Sequence, residues 1–471
     1  MCAGRFAEAL QFAERAVAGK LECLPAHGML ATILCRLGRT EDADAVVTHA
    51  LGCREGVADA YDGLAYVSMM LGRHERSNEL YRRAVALDPR AARLWYNLAS
   101  SERSFGRLVE AEAACARAIA LDPAHYPSYL LRAELRVQTP EVNHVSELQA
   151  QLARAARDDR ARMFLGYALG KELDDLQRFE EAFLRFQDGA AARRRHLRYD
   201  VAIDERKLQR IEEAFPRRLA CAAPSRGGPT PHIFIVGLPR SGTTLVERIL
   251  TGLPGVRSNG ETENFSRALL AAAPSDSRDV FARAAAADPA AVAERYERLS
   301  GRTPGETLVE KLPMNYLYLG AIHRALPQAT LVLIRRSALD SCFAMYRTLF
   351  GEAYPFSYDF GELVRYYAAY EALMSHWRSD FGGDIHEVAY EDMVKDPRRL
   401  GADIARRCGL GWTDRAVEIQ ANAAVSLTAS AAQVRRPIYG TSSGRWRHYR
   451  THLEPLIRGL RGRGIVLPAD A

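Results

Sequence analysis

Residues 232–247 constrain the fold more than any other stretch of this chain. The apolar run His232–Val236 predicts a buried parallel strand, and Gly237 ends it. The loop Leu238–Thr244 follows, and an amphipathic helix opens at Leu245. Strand, glycine-bounded loop and helix in this order form a phosphate-binding loop, because the loop amides and the positive end of the helix dipole point at one anion. The sequence therefore predicts an α/β domain with a parallel sheet and an anion site at the carboxyl edge of its strands.

The loop has nearly the spacing of a nucleotide-binding P-loop, Gly-x4-Gly-Lys-Ser/Thr. Gly237 and Gly242 hold the glycine positions and Thr244 the hydroxyl position, but Thr243 stands where the lysine belongs. That lysine normally reaches the β and γ phosphates, so its absence argues against a triphosphate with magnesium. The cation of this loop is instead Arg240, which favours a smaller anion carried on one 5′ group. An ordinary strand–loop–helix turn is the structural alternative.

The segment Pro239-Arg240-Ser241-Gly242-Thr243-Thr244 resembles the 5′-phosphosulfate loop of the sulfotransferase family. The resemblance covers residues 231–450 and is closest to bacterial sulfotransferases that carry tetratricopeptide repeats. It implies that this loop binds the donor 3′-phosphoadenosine-5′-phosphosulfate (PAPS). It also implies that no metal is needed, because PAPS already carries an activated sulfuryl group.

The same resemblance implies three catalytic residues. Glu261 follows Arg240 at the distance where tyrosylprotein-type sulfotransferases carry the acidic residue that takes the acceptor's proton. A carboxylate suits this role, since a hydroxyl becomes a good nucleophile only as its proton leaves. Lys311 ends a predicted strand, where the family has a lysine beside the bridging oxygen of the donor. Lys311 and Arg240 would stabilise the charge that develops there; the structural alternatives are a helix cap at Glu261 or Glu263 and a surface lysine.

A second anion site is implied farther along the chain. The run Thr330–Arg336 predicts a buried strand ending in two arginines, and the helix Ser337–Leu349 follows. This resembles the family's 3′-phosphate site, an arginine with a serine eight residues later on the next helix. Arg336 matches the arginine, but residue 344 is alanine. Ser341 lies one turn earlier on the same helical face, and we expect it to replace the missing serine.

Two later segments also resemble parts of the family. Val388–Asp392 resembles its Tyr-Glu-Asp segment, which implies that Tyr390 contacts the adenine; plain core packing is the alternative. Gly444–Tyr449 resembles the late loop over the donor, which implies that an arginine near it reaches the 3′ phosphate. The candidates are Arg445, Arg435 and Arg436.

The N-terminal half is a repeat array. A Gly-Arg pair recurs every 34 residues, at 4, 38, 72 and 106, and Leu-Asp-Pro recurs at 87 and 121. A period of 34 with small residues inside two helices per unit is the tetratricopeptide pattern, an all-α solenoid. Gly4 takes the position of the turn between helices, so either the natural start lies upstream or the array begins with a half unit. Such an array offers a surface for a peptide or partner protein, or else it serves as a spacer or dimerisation arm.

These patterns divide the chain into four regions. Residues 1–135 are the tetratricopeptide repeats, and 136–221 form a helical extension that includes a degenerate unit at Phe164–Arg195. Residues 222–231, rich in proline and glycine, read as a linker. Residues 232–471 form the domain with the chemistry.

Composition limits the remaining possibilities. A length of 471 residues favours two or three domains, and a formal charge of +6 without a dense basic tract disfavours nucleic-acid binding. The eight cysteines include no Cys-x2-Cys pair, which argues against a metal site and favours a reduced, cytoplasmic chain. No apolar run reaches the roughly 18 residues of a membrane span.

The most consistent hypothesis is a sulfotransferase that moves the sulfuryl group of PAPS to a hydroxyl acceptor. The acceptor stays open between a peptide or protein recruited by the array, a sugar and a small alcohol, and the oligomeric state is also open. One alternative is a non-catalytic scaffold with a degraded donor site, supported by Ala344. The other is a P-loop kinase, which the missing lysine disfavours.

Overall fold

The structure is a computed structural model that describes residues 3–19, 24–52, 57–215, 229–274, 279–428 and 430–470. The chain divides into two compact units, Met1–Arg154 and Ala155–Ala471, which we call the helical unit and the sheet unit. Their boundary falls inside the helical extension predicted at 136–221, so that extension is shared between the two. The predicted linker, 222–231, lies mostly outside the described residues.

The helical unit is built from antiparallel helix pairs whose turns use the repeated glycines. Gly38, Gly72 and Gly106 have φ values of +79°, +72° and +79°. A side chain disfavours this left-handed conformation, which explains why glycine recurs there. Gly4 continues the step but lies within the first helix. The helices are α1 Ala3–Gly19, α2 Leu24–Arg36, α3 Thr40–Ala50, α4 Ala58–Met70, α5 His74–Leu87, α6 Ala92–Phe105, α7 Leu108–Leu121, α8 Tyr126–Glu134 and α9 Val145–Arg154.

Small residues let paired helices of the array approach each other. In the α6–α7 pair, Ala99, Ala111 and Ala118 are fully buried. Trp95 donates its indole N–H to the carbonyl of Pro89 at 3.0 Å, which ties the start of α6 to the preceding turn. Each pair buries its apolar side against its neighbours in the unit, as expected for a solenoid.

The sheet unit contains the predicted parallel sheet. Its strands within the described residues, in the spatial order β2-β3-β1-β4-β5, are all parallel. Phe234 on the central strand pairs with Glu310 on one side and Leu331 on the other. The prediction of a parallel sheet is confirmed. The strands are β1 His232–Gly237, β2 Val256–Ser258, β3 Thr307–Glu310, β4 Thr330–Arg335 and β5 Ile385–Ala389.

Helices before, between and after these strands complete the sheet unit. Among the described residues, none of the helices in either unit is long and apolar enough to cross a membrane. The helices are α10 Asp159–Asp175, α11 Phe179–Arg195, α12 Val201–Ala214, α13 Thr243–Leu250, α14 Asn264–Ala272, α15 Val280–Ala286, α16 Pro289–Ser300, α17 Leu319–Ala325, α18 Ala338–Tyr346, α19 Phe360–Phe381, α20 Tyr390–Lys395, α21 Pro397–Arg407 and α22 Glu454–Gly462.

Both faces of the sheet are covered, as a parallel sheet requires. On one face, Ile233 and Ile235 share a buried cluster with Ile249 of α13 and Ile404 of α21. On the other face, the ring of Phe234 packs with Phe265 and Tyr296, at centroid distances of 5.8 and 5.6 Å. Because successive side chains of a strand point to opposite faces, the apolar run of β1 serves both layers.

The degenerate repeat predicted at Phe164–Arg195 is the helix pair α10–α11, and it belongs to the sheet unit. The hydroxyl of Tyr167 donates to the carbonyl of Tyr346 at 2.9 Å. Arg194 forms a two-pronged ion pair with Glu362, at 2.7 and 2.8 Å. These contacts explain why the unit begins at Ala155 rather than at the first strand.

Candidate active site

The carboxyl ends of the strands bring the predicted site residues to one edge of the sheet. In a parallel sheet all strands end on the same side, and ligands bind in the crevice there. The loop 238–242 follows β1, and the segment after β2 carries Glu261. The residues that directly follow β3, β4 and β5 are Lys311, Arg336 and Tyr390.

The loop after β1 follows a path that demands its glycines. Gly242 has a φ of +105°, and a β-carbon there would lie 2.4 Å from the ring of Tyr390. A β-carbon on Gly237 would lie 2.6 Å from the carbonyl oxygen of Ile334. Arg240 itself has a φ of +67°, a strained conformation that tends to occur at functional sites. The loop therefore packs so closely against Tyr390 and the end of β4 that neither position has room for a side chain.

Arg240 is held across the site by a segment far along the chain. Its guanidinium donates to the hydroxyl of Ser430 at 2.5 Å and to the side-chain oxygen of Gln433 at 2.9 Å. Both of these partners are neutral side chains, which orient the guanidinium. An arginine oriented in this way is suited to bind an anion.

Arg336 supports the same loop from β4. It donates to the carbonyl of Arg240 at 2.8 Å and to the carbonyl of Ser442 at 2.5 Å. Its guanidinium carbon lies 4.7 Å from the ring centroid of Tyr390, a cation–π contact. Burial lowers the pKa of Arg336, an effect that nearby Asp340 partly offsets.

Lys311 and Glu261 form an ion pair at the same edge of the sheet. The ammonium of Lys311 lies 2.6 Å from a carboxylate oxygen of Glu261 and 3.6 Å from one of Glu247. The lysine side chain is fully buried, whereas that of Glu261 is 37% exposed. The tertiary structure thus pairs the predicted acid–base residue with the predicted cation.

The neighbour of Lys311 is an unusual buried acid. Glu310, the last residue of β3, is fully buried and accepts hydrogen bonds from Thr262 and from Tyr296, the latter at 3.3 Å. Burial raises the pKa of Glu310 to about 7, although the two hydroxyl donors and Arg257 act in the opposite direction.

These groups surround a cavity of about 430 Å³. Four predicted residues do not line it. Lys311 reaches its wall only through Glu261, and the hydroxyl of Ser341 bonds the carbonyl of Arg336 at 3.4 Å. Ser241 is buried beneath the loop, and Arg445 is paired with Asp174 of α10 at 2.6 Å. The predicted residues that line the cavity are Pro239, Arg240, Gly242, Thr243, Thr244, Glu261, Arg336 and Tyr390.

Within the described residues, three buried polar atoms near the loop have no hydrogen-bond partner: the hydroxyls of Ser241 and Ser337 and the Nε of Arg336. Buried polar groups normally find partners. Of these three residues, Arg336 lines the cavity and is placed to contact a ligand there.

Sequence reasoning missed several residues of the cavity. Ser430, Gln433 and Ser442 belong to an irregular segment without a periodic pattern, so no local signal pointed to them. Arg347 could have been predicted from the sequence. It follows Ala344 by three residues at the end of α18, so the two residues would lie on the same side of a helix. Both Ala344 and Arg347 line the cavity.

Known protein families match part of each unit. Residues 231–414 match the model of the sulfotransferase family, and residues 63–126 match the tetratricopeptide repeat model. An uncharacterised protein of Aquifex aeolicus (strain VF5) is 28% identical over 330 residues, 66% of this chain and 43% of that protein. The chain therefore spans less than half the length of this relative.

Solved structures resemble the two regions separately. The sulfotransferase domain of the Synechococcus PCC 7002 olefin synthase is 19% identical, with a TM-score of 0.37, and the match covers 52% of this chain and 98% of that one. The tetratricopeptide protein YrrB is 16% identical, with a TM-score of 0.26, over 38% of this chain and 83% of that one. At these identities and TM-scores the likeness supports no conclusion about function or substrate. The chain thus carries one match to the tetratricopeptide repeat and one to the sulfotransferase family, as its motifs predicted.

Proposed function

We propose that this protein transfers the sulfuryl group of PAPS to a hydroxyl acceptor. The observation that carries the proposal is the contact of 2.6 Å between Lys311 and Glu261. It lies at the wall of a cavity that the loop after β1 and Arg336 also line. A base, a buried cation and an anion-binding loop at one sheet edge are the groups that in-line sulfuryl transfer requires.

The donor would be held by its two anionic ends and its base. The loop Pro239–Thr244 and the N-terminus of α13 suit the 5′ phosphosulfate, with Arg240 as the loop cation. Arg336 is the candidate for the 3′ phosphate. The ring of Tyr390 is the candidate for the adenine. Ser341 and Arg445 remain weaker candidates, because in this structure their side chains bond Arg336 and Asp174.

The roles of the chain's own residues follow from charge. PAPS supplies an activated sulfuryl group, whose bond to the bridging phosphate oxygen breaks while a bond to the acceptor oxygen forms. The carboxylate of Glu261 takes the acceptor's proton. Lys311 and Arg240 stabilise the negative charge left on the 3′,5′-bisphosphate, and one such preorganised donor is typically worth about 10²–10³ in rate.

The acceptor and the cellular setting belong to the same proposal. The repeat array favours a peptide or protein acceptor, on analogy with the use of such arrays as binding surfaces. The buried thiols of Cys115 and Cys342 favour a reducing, cytoplasmic setting.

A non-catalytic scaffold is the second candidate, because Ala344 stands on the cavity wall where the family pattern has a serine. Binding of a donor analogue distinguishes the sulfotransferase from the scaffold. We expect 3′,5′-bisphosphoadenosine to bind the wild type in a magnesium-free calorimetric titration and to bind Arg240→Ala and Arg336→Ala about 10–100-fold more weakly, since each loses charged hydrogen bonds. Arg335→Ala is the matched control, because Arg335 is exposed and pairs with Glu387 away from the cavity lining.

Turnover then tests the chemistry. With PAPS and a panel of phenolic, peptide and sugar acceptors, we expect Lys311→Met and Glu261→Gln to lose 10²-fold or more in kcat, on the scale of a lost transition-state donor. A folded wild type that does not bind the bisphosphate would contradict the proposal and favour the scaffold.

A further inference from the structure

Two adjacent residues at the end of β3 hold two adjacent residues of the segment after β2. Lys311 contacts Glu261 at 2.6 Å, and the hydroxyl of Thr262 donates to the carboxyl of Glu310. Glu310, the last residue of β3, and Lys311, which follows it, are both fully buried. The proposed base therefore sits beside a second attachment that does not involve the proposed catalytic lysine.

The segment that carries Glu261 needs such an attachment. It is a short connection between β2 and α14, and Gly260 within it has a φ of +72°. Its start is fixed by Ser258, whose hydroxyl donates to Glu247 at 2.6 Å and accepts from the amide of Gly260 at 2.9 Å. Beyond Glu261, the bond from Thr262 to Glu310 fixes the other side.

A buried carboxyl at position 310 is not explained by the stability of the fold. An apolar residue of similar volume usually serves a core as well or better than a buried charge. Glu310 is faced by Tyr296 from α16, Thr262 from the segment after β2, Arg257 from β2 and Glu247 from α13. Burial that raises its pKa to about 7 shows how poorly this pocket tolerates the charge. A buried carboxyl at this position is therefore better explained by a role at the site than by a contribution to stability.

We propose that Glu310 and Thr262 are positioning residues that keep Glu261 aimed at the cavity when Lys311 turns from Glu261 to the donor. The inference rests on the proposed function. A lysine that stabilises the leaving group cannot at the same time be the only anchor of the base. The hydrogen bond from Thr262 to Glu310 supplies an anchor that is independent of Lys311 and persists through the reaction.

The test compares Thr262→Val, which keeps the shape but loses the hydroxyl, with Thr262→Ser, which restores it. In the full chain, we expect hydrogen exchange of the amides at 259–263 to speed up at least tenfold in Thr262→Val and to return towards wild type in Thr262→Ser. Thr303→Val is the matched control, because the Thr303 hydroxyl bonds Glu306 at 3.1 Å in another loop. It should leave exchange at 259–263 unchanged.

In the PAPS assay, we expect Thr262→Val to lower kcat about 10–100-fold while KM for PAPS stays within about twofold, and Thr262→Ser to recover most of the loss. A purely structural role would not separate kcat from KM in this way. Unchanged exchange at 259–263 in Thr262→Val overturns the inference whatever the turnover. An inactive wild type would count against the proposed function instead, since the exchange readout needs no turnover.

Discussion

Two helix pairs of this chain have similar sequence patterns but belong to different units. The α6–α7 pair belongs to the helical unit and repeats at the 34-residue step. Its helices approach through fully buried alanines, Ala99, Ala111 and Ala118. The α10–α11 pair belongs to the sheet unit and approaches through glycines. A β-carbon on Gly170 would lie 2.8 Å from the ring of Phe186, so aromatic side chains fill the space that the glycines leave.

The partners of one buried carboxylate in each pair show the difference most clearly. Glu102 of α6 pairs with Arg82 and Arg107, whose side chains are 54% and 40% exposed. Asp174 of α10 pairs with Arg347 and Arg445 and accepts from the hydroxyl of Tyr449. The first set is local to the array, whereas the second comes from the region after β4. The α10–α11 pair is therefore part of the sheet unit, because its buried carboxylate is paired with residues of the sheet unit.

The largest expected effect comes from removing α10–α12. We expect residues 155–471 to fold cooperatively and to bind 3′,5′-bisphosphoadenosine, and residues 229–471 to fail. The shorter chain lacks Tyr167, Phe183 and Phe215, all buried. At about 2–3 kcal/mol for each buried aromatic, the loss is on the order of 10 kcal/mol, comparable to the stability of a whole domain.

Circular dichroism during heating, together with calorimetric titration, would measure both fragments. Residues 1–154 serve as the control, and they should unfold as a separate array. If the 229–471 fragment unfolded cooperatively and bound the ligand, α10–α12 would be dispensable and the prediction would be wrong.

The next effect concerns the two carboxylates. We expect Asp174→Ala in fragment 155–471 to lower the free energy of unfolding by about 3–5 kcal/mol, since it leaves two partly buried arginines without their partner. Glu102→Ala in fragment 1–154 should cost about 1 kcal/mol, because water replaces the carboxylate at two half-exposed arginines. Urea unfolding would measure both. Equal losses of unfolding free energy in the two variants would show that Asp174 and Glu102 contribute equally to stability.

The pH dependence of stability tests the contribution of Asp174 in a second way. Burial alone would raise the pKa of Asp174, but the charges of Arg347 and Arg445 outweigh it and leave the pKa below its ordinary value of 3.8. A carboxylate with a lowered folded-state pKa stabilises the fold above the unfolded pKa and loses this contribution as the pH falls through the folded value. We therefore expect the stability gap between wild type and Asp174→Asn to be full at pH 6 and to close below about pH 4. A gap that does not change with pH would assign the effect to packing rather than charge.

The smallest effect concerns one glycine in each unit. A β-carbon on Gly166 in α10 would lie 3.0 Å from the backbone oxygen of Arg185, whereas nothing lies within 4 Å of one on Gly63 in α4. Gly166→Ala should therefore destabilise fragment 155–471 by about 1–3 kcal/mol. Gly63→Ala should stabilise fragment 1–154 by about 0.5–1 kcal/mol, the usual gain in a helix interior. Thermal midpoints would show the opposite signs, and stabilisation by both would mean that α10–α11 is packed no more tightly than the array.

The sequence predicted most reliably what depends on local pattern. The apolar run at His232 and the arginine-terminated run at Thr330 became β1 and β4, because continuous apolar runs bounded by turns suit strands buried on both faces. The glycine at each turn of the array was visible because its conformation demands glycine. Glu261 and Lys311 were predicted through the resemblance, and the fold brings these two residues into contact across 50 positions of the chain.

Residues on irregular segments escaped prediction for a physical reason. Arg240 bonds Ser430 and Gln433, which lie some 190 positions later and belong to no repeating pattern. Arg445 was expected near the donor, yet in this structure it pairs with Asp174, a contact that no spacing along the chain encodes. Such contacts depend on how distant segments meet, so local sequence carries no trace of them.

The sequence by itself determined the period of the array, the parallel strands and the residue types at the strand ends, because backbone conformation and burial act on neighbouring residues. Only the tertiary structure decided that α10–α12 join the sheet unit and that Glu310 and Thr262 flank the Lys311–Glu261 pair. It also decided which arginines face the cavity. Those outcomes depend on burial and charge shared between segments far apart in the chain, and these exist only once the chain has folded.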